Sequence, residues 1–325
     1  MPSDHVQSPS APAALRRSRT AALRRSRTAA VGVLVALGLT VSGCGLLGGG
    51  SGDRPAAASL PPETARPGSA PPEEVFPDAP TVKEPFRGSP ALRWADGAAG
   101  IEVPEAKAVG SFSPKQVAHA LAAVKELLVE ANITPATLRG EHPKAALDLL
   151  DPLQKDGRGL MEGGLRKPTK DADPVMLFSR FDPTETRVLR DLVKTRGRIT
   201  YEKGESDGEL LIRADFSFVY PVVKVKTGER EVDRSVIRRE LTFALYDPEE
   251  YETTPGKLFM VEWAMSSGND DCNRAPDGFL HPTFPSDRIA RPDASAAPSG
   301  EAVDPYDRSK SLDDMPQECA ETTRG

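Results

Sequence analysis

The chain has 325 residues, 28% of them charged, and a formal net charge of −6 at pH 7. The first 43 residues contribute +5, from six arginines and one aspartate, so the remaining chain is near −11. An acidic surface repels the phosphate backbone of nucleic acids, and the composition therefore argues against a nucleic-acid partner.

The N-terminal residues have the order of a signal peptide. An arginine-rich segment is followed by a 13-residue apolar segment, from Ala29 to Val41, that has no charged residue. It is too short for a comfortable transmembrane helix. The string Val41-Ser42-Gly43-Cys44 resembles the lipobox of bacterial lipoproteins, which ends in an obligatory cysteine. The resemblance implies a signal peptide over residues 1–43, cleavage between Gly43 and Cys44, and a diacylglyceryl group on the Cys44 thiol.

Lipidation of Cys44 would place the protein outside the cytoplasm, anchored on the outer face of the cytoplasmic membrane. Each buried methylene contributes ~0.8 kcal/mol, so two acyl chains hold stably where one holds marginally. An ordinary signal peptide with a chance cysteine and an uncleaved membrane helix are the two alternatives.

Composition divides the rest of the chain into three regions. Residues 45–90 contain 10 prolines and few large apolar side chains, so they cannot bury enough surface to offset the entropy of ordering. We therefore predict the lipid anchor and a disordered Pro/Gly-rich tether over residues 44–90. One α+β domain is predicted over residues 91–290, and a polar tail over residues 291–325.

The first periodic element is an amphipathic helix over residues 114–131. Ser113 is a favourable cap, Pro114 suits the first helical position, and Gln116 completes a capping box. Apolar residues then recur at spacings of four and three, which predicts one stripe facing a core. The stripe consists of Val117, Leu121, Val124, Leu128 and Ala131. A second short helix is predicted to begin at Thr134-Pro135, and a third to span residues 143–150.

After residue 193 the apolar period changes to two, which is typical of half-buried strands. Strands are predicted over residues 193–202, 210–220, 237–245 and 257–265, and the turns between them indicate an antiparallel meander. The predicted fold is therefore α+β, with N-terminal helices packed on a four-stranded antiparallel sheet and disordered flanking segments. We expect the helix stripe to pack on Phe216, Phe218, Leu241 and Phe243. The opposite face is expected to carry solvated charges, among them Arg213, Asp215 and Glu262.

Element order from Ser113 to Met265 resembles the cone-shaped α+β domains of NTF2-like and cystatin-like proteins. The strings Phe218-Val-Tyr-Pro221 and Gly278-Phe-Leu-His-Pro282 are similar to those of uncharacterised secreted lipoproteins of streptomycete-type bacteria. The first resemblance implies a sheet with a concave interior. The second implies a location outside the cytoplasm more than an activity.

The two other cysteines of the chain, Cys272 and Cys319, most simply pair as a disulfide in an exported protein. The bridge would fasten the polar tail to the end of the fourth strand. Free or intermolecular thiols are the alternative.

Arg239 is the one candidate pocket residue, because it is in phase with the apolar residues of its strand. A charge on the apolar face could line a pocket in the concavity of the sheet. Alternatively, Arg239 lies near the end of its strand and its charged head reaches water.

The sequence has few residues in patterns that hold metals or perform catalysis. No pair among His119, His142 and His281 has the spacing of a helical zinc site, and each is expected to be a surface or capping residue. Residues 269–273 have the oxygen spacing that opens a calcium loop, but Arg274 and Leu280 stand where glycine and glutamate are required. A solvated turn is therefore predicted there, with no metal, no cofactor and no identified catalytic residue.

These observations favour a non-catalytic binding or adaptor module at the cell envelope. Its partners would be the membrane, through the lipid on Cys44, and an envelope protein or a small apolar ligand. The alternative is a hydrolase or isomerase that uses the interior of an NTF2-like cone. A substrate-binding lipoprotein of a transporter fits the anchor, but the strand–helix alternation of its two lobes is absent from the sequence.

Overall fold

The structure, a computed structural model, describes residues 77–226, 231–271, 273–290, 300–315 and 320–322. In these ranges the α-helices are α1 Pro114–Asn132, α2 Pro135–Leu138, α3 Lys144–Leu149, α4 Arg158–Arg166 and α5 Pro285–Ala290. The long strands are β3 Lys194–Lys203, β4 Glu209–Lys224, β5 Val232–Tyr246 and β6 Phe259–Gly268. The short strands are β1 Ala95–Asp96, β2 Thr186–Val188, β7 Gly300–Val303 and β8 Ala320–Thr322. Single 3₁₀ turns occur at Pro90–Arg93, Gly97–Gly100, Pro174–Met176, Leu189–Asp191 and Leu312–Asp314.

Helix α1 begins where the sequence predicts. Ser113 Oγ accepts a hydrogen bond from the Gln116 backbone N–H at 3.4 Å, and Gln116 Oε1 accepts one from the Ser113 N–H at 2.9 Å. This capping box satisfies two N–H groups at the start of the helix. The predicted apolar stripe is confirmed, because all of its members are fully buried: Val117, Leu121, Val124, Leu128 and Ala131.

The described strands form a six-stranded sheet and a separate two-stranded pair. Strands β1, β3, β4, β5 and β6 lie side by side in that order, β2 pairs with β4, and every pair in this sheet is antiparallel. The α+β class is confirmed, but the predicted number of four strands is wrong. Strands β1 and β2 have only two and three residues, which is too short for a period of two to be recognised.

One face of the six-stranded sheet forms the main core with α1. The antiparallel register places Phe218 opposite Ile237 and Phe216 opposite Arg239. The predicted partners of the helix stripe are all buried in the same apolar cluster as α1: Phe216, Phe218, Leu241 and Phe243. The helix stripe and the period-two strands therefore meet as expected.

Strands β2 and β3 run along the same edge of β4 and are separated by an interruption. Val188 of β2 pairs with Val222, and Lys194 of β3 pairs with Val219. The five residues between β2 and β3, 189–193, therefore lie opposite only two residues of β4, Tyr220 and Pro221. Because proline has no backbone N–H to donate to a ladder, the interruption falls at a weak point of the sheet.

The second face of the sheet is covered by segments from both sides of the predicted domain. Phe86 and Trp94 pack with Val219 and Val236 in a second apolar cluster. Tyr306 lies edge-on against Trp94, with the ring centroids 5.8 Å apart. The packed part of the chain therefore extends beyond the predicted range of residues 91–290.

Charged residues continue this cover over the rest of the second face. Arg308 Nη2 lies 2.8 Å from Asp215 Oδ2, and Arg238 Nε donates to Asp215 Oδ1 at 3.1 Å. Burial alone would raise the pKa of Asp215, but the hydrogen bonds from the two guanidinium groups hold it below its usual value. The expectation of a solvated face is wrong at Asp215, whereas Arg213 and Glu262 are exposed.

Candidate functional site

Arg239 lies inside the main core and does not reach water, so the alternative that placed its head in solvent is wrong. Its side chain is fully buried. It donates to acceptors at the end of α1, in the Pro174–Met176 turn and just after that turn. These acceptors are Val175 O at 2.6 Å, Met176 O at 3.2 Å, Asn132 Oδ1 at 2.8 Å and Ser179 Oγ at 2.9 Å.

Tyr220 of β4 extends this network. Its hydroxyl lies 2.9 Å from Asn132 O and 2.8 Å from Ser179 Oγ. Burial lowers the pKa of Arg239 to about 10, so the guanidinium remains a cation at neutral pH, and burial raises the pKa of Tyr220. The network therefore joins the end of α1, the segment around Ser179 and two central strands through one buried cation.

His281 is the centre of a second polar cluster, formed by residues that follow β6 and by Glu185 next to β2. Its Nε2 lies 2.8 Å from Asp277 Oδ1, and its Nδ1 lies 3.4 Å from Glu185 Oε2. Arg274 donates two hydrogen bonds to Glu185, at 3.0 and 3.1 Å. The expectation of a surface histidine is wrong here, because His281 is only 9% exposed.

In the turn that begins at Asn269, polar side chains form hydrogen bonds with other parts of the protein. Asp270 Oδ1 accepts a hydrogen bond from the His281 N–H at 2.5 Å, and burial raises the pKa of Asp270. Asn269 is buried and donates to Arg234 O at 3.0 Å, so the predicted solvated turn is wrong at this residue. Among the described residues, no group of three or more histidines, cysteines and acids could hold a metal ion.

A surface pocket of about 280 Å³ lies where the chain leaves β2. Its walls come from the end of α2, from β2 and from the Leu189–Asp191 turn, which forms part of the interruption between β2 and β3. The lining includes three arginines, one acid and apolar side chains: Arg139, Arg187, Arg190, Asp191, Leu138 and Val188.

Two consecutive residues of this pocket have a left-handed backbone. Arg190 has φ 55° and Asp191 has φ 53°. This conformation costs arginine roughly 1–2 kcal/mol, whereas aspartate adopts it more readily. Arg139 Nη2 lies 2.5 Å from Asp191 Oδ2, and Arg190 Nη2 donates to Val82 O at 2.8 Å. Strain that neighbouring groups hold in place is often found at binding sites. Local sequence rules do not mark this turn, because arginine has no preference for the left-handed region, although aspartate tolerates it.

The other candidate residues from the sequence are distributed as follows. Gly43, Cys44, Cys272 and Cys319 lie outside the described residues, so lipidation and the disulfide stay predictions. His119 and His142 are exposed, as expected.

No helix in the described part of the chain is both long enough and apolar enough to cross a membrane. Comparisons with protein-family models, with curated proteins and with solved structures find no match to this chain.

Proposed function

We propose that this protein is a lipid-anchored module outside the cytoplasm that acts by binding and not by catalysis. The observation that supports binding is the contrast between its polar regions. The interior network around Arg239 is sealed and saturated with internal hydrogen bonds, whereas the pocket of about 280 Å³ opens at the surface. A binding module needs only such an accessible pocket, while an enzyme needs its reactive groups to meet substrate.

The NTF2-like or cystatin-like cone is part of this proposal. A long amphipathic helix that packs on an antiparallel sheet supports it. The β5–β6 register also shifts between Thr242 and Phe243, and a bulge of this kind bends a strand and increases its twist.

The lipid anchor makes the clearest prediction. We expect Cys44→Ala to abolish incorporation of labelled fatty acid, because the Cys44 thiol is the proposed acyl acceptor. The measurement is metabolic labelling of cells that express the protein, followed by its purification. Cys319→Ser is the matched control and should label like the unmodified protein. Label that persists in Cys44→Ala would exclude the proposed anchor.

The alternative of a hydrolase or isomerase rests on the same interior network. Ser179 Oγ contacts both Tyr220 and Arg239, and a hydroxyl, a phenol and a guanidinium are groups that enzymes use. Ser179 is fully buried, so catalysis there would require the interior to open to substrate.

Thiol labelling of Ser179→Cys distinguishes the two functions. If the interior is sealed, a thiol reagent should react at least about a thousandfold more slowly than with Ser309→Cys, because reaction requires an opening that costs ~5 kcal/mol or more. Ser309 is exposed and serves as the control. Comparable rates for the two variants would favour an accessible, enzyme-like interior.

The disulfide also belongs to the proposal. Thr322 Oγ1 lies 2.6 Å from Asn269 Oδ1, and these residues are three positions away from Cys319 and Cys272, respectively. The contact brings the two chain segments together, as a bridge between the cysteines requires. The variants for thiol labelling are made in the Cys44→Ala protein. Without an added cysteine, that protein should contain no reactive thiol, even after denaturation without reductant.

A further inference from the structure

We propose that the surface pocket between α2, β2 and the Leu189–Asp191 turn binds a small organic anion, a carboxylate or phosphate joined to an apolar group. This inference rests on the proposed binding function and names the class of ligand.

The first observation is the positive charge of the residues that line the pocket. Three arginines and one aspartate line it, although the chain after residue 43 is near −11 overall. The aspartate, Asp191, is already paired with Arg139. A guanidinium has five N–H donors, so one partner does not use them all, and its planar shape matches the oxygen geometry of carboxylates and phosphates.

The second observation is the left-handed backbone of the Leu189–Asp191 turn. Glycine adopts a left-handed conformation without strain, yet Arg190 and Asp191 occupy the two left-handed positions of the turn. Both side chains line the pocket. Arg190 therefore has a use at this rim that outweighs its strain, and its guanidinium, which donates to Val82 O, keeps other N–H groups for a ligand.

The floor and the size of the pocket define the rest of the ligand. Exposed Pro183 lines the pocket together with Leu138 and Val188, and these residues supply the apolar part of the lining. The volume of about 280 Å³ lies just below the range of roughly 300–1,000 Å³ that is typical of ligand pockets. The pocket therefore suits a compact molecule with one anionic group and one apolar group.

Titration of the mature protein with defined probes tests this inference. The probes are benzoate, phenyl phosphate, inorganic phosphate and benzyl alcohol, and the readout is the amide chemical shifts of residues 186–191. Saturable shifts are expected with benzoate or phenyl phosphate, and whichever binds more tightly identifies the anionic group. Benzyl alcohol and inorganic phosphate should bind more weakly, because each lacks one of the two features. Added salt should weaken binding of the anions.

Arg190→Gly is the decisive variant, because glycine keeps the left-handed backbone and removes the guanidinium. We expect a folded protein with benzoate affinity reduced about tenfold, the loss expected for one charge-assisted hydrogen bond. Arg139→Gln should also weaken binding, and Arg213→Ala, remote from the pocket lining, should not.

Absence of saturable shifts with both organic anions, or equal affinity in Arg190→Gly and the unmodified protein, would overturn the inference. Equal affinities of the unmodified protein for benzyl alcohol and for benzoate would also overturn it. None of these outcomes affects fatty-acid labelling of Cys44 or thiol labelling at Ser179, so failure of this inference is distinguishable from failure of the proposed function.

Discussion

Replacement of Arg239 by alanine is expected to lower the free energy of unfolding by about 3–5 kcal/mol. The variant removes the guanidinium donor of Val175 O and Met176 O, whereas Asn132 Oδ1 keeps the Ser179 hydroxyl as a donor. It also leaves a cavity where a fully buried side chain packed. Urea denaturation of the two proteins measures the difference.

Two further variants separate the causes of this loss. Arg239→Met fills most of the space and removes the burial cost of the cation, so it should be less destabilising than Arg239→Ala. Arg213→Ala removes an exposed arginine that is paired with Glu202, and such surface pairs contribute only about 0–1 kcal/mol. Equal losses for Arg239→Ala and Arg213→Ala would contradict a structural role for the buried network.

Leu121→Ala should cost roughly 2–5 kcal/mol, because the side chain is fully buried between α1 and the sheet and its removal leaves a cavity. This is a large fraction of the 5–15 kcal/mol that stabilises a typical domain. Glu126→Ala changes an exposed position on the same helix and should shift stability by less than about 0.5 kcal/mol. The measurement is again the midpoint and slope of urea denaturation. Similar effects of the two changes would mean that the buried face of α1 has been assigned wrongly.

Regular elements of this fold could be predicted from the sequence because their signals are local. Ser113, Pro114 and Gln116 specify the start of α1 within four residues, and the apolar period identifies the long strands. The phase of Arg239 in β5 was equally visible. Its partners were not, because Val175 and Ser179 lie in an irregular segment with no period.

The remaining differences involve contacts between a side chain and the backbone of a distant segment. Arg308 donates to Arg196 O and Asp215 O, both at 2.8 Å, and no composition rule identifies such acceptors. The polar tail was therefore predicted to be unpacked. The pocket was missed for a related reason, since the interruption between β2 and β3 depends on register and not on local propensity.

The cover of the second sheet face has a mechanical consequence for a protein held by one lipidated end. Force applied through the proposed tether would reach the described residues at position 77. It would act first on the segment around Phe86 and Trp94. That segment is fastened to the sheet by Arg234, which donates to Arg87 O, and to the C-terminal region by a hydrogen bond of 2.9 Å from Ser89 to Tyr306. Traction would therefore pass through this layer into β5, at Arg234, before it reaches α1.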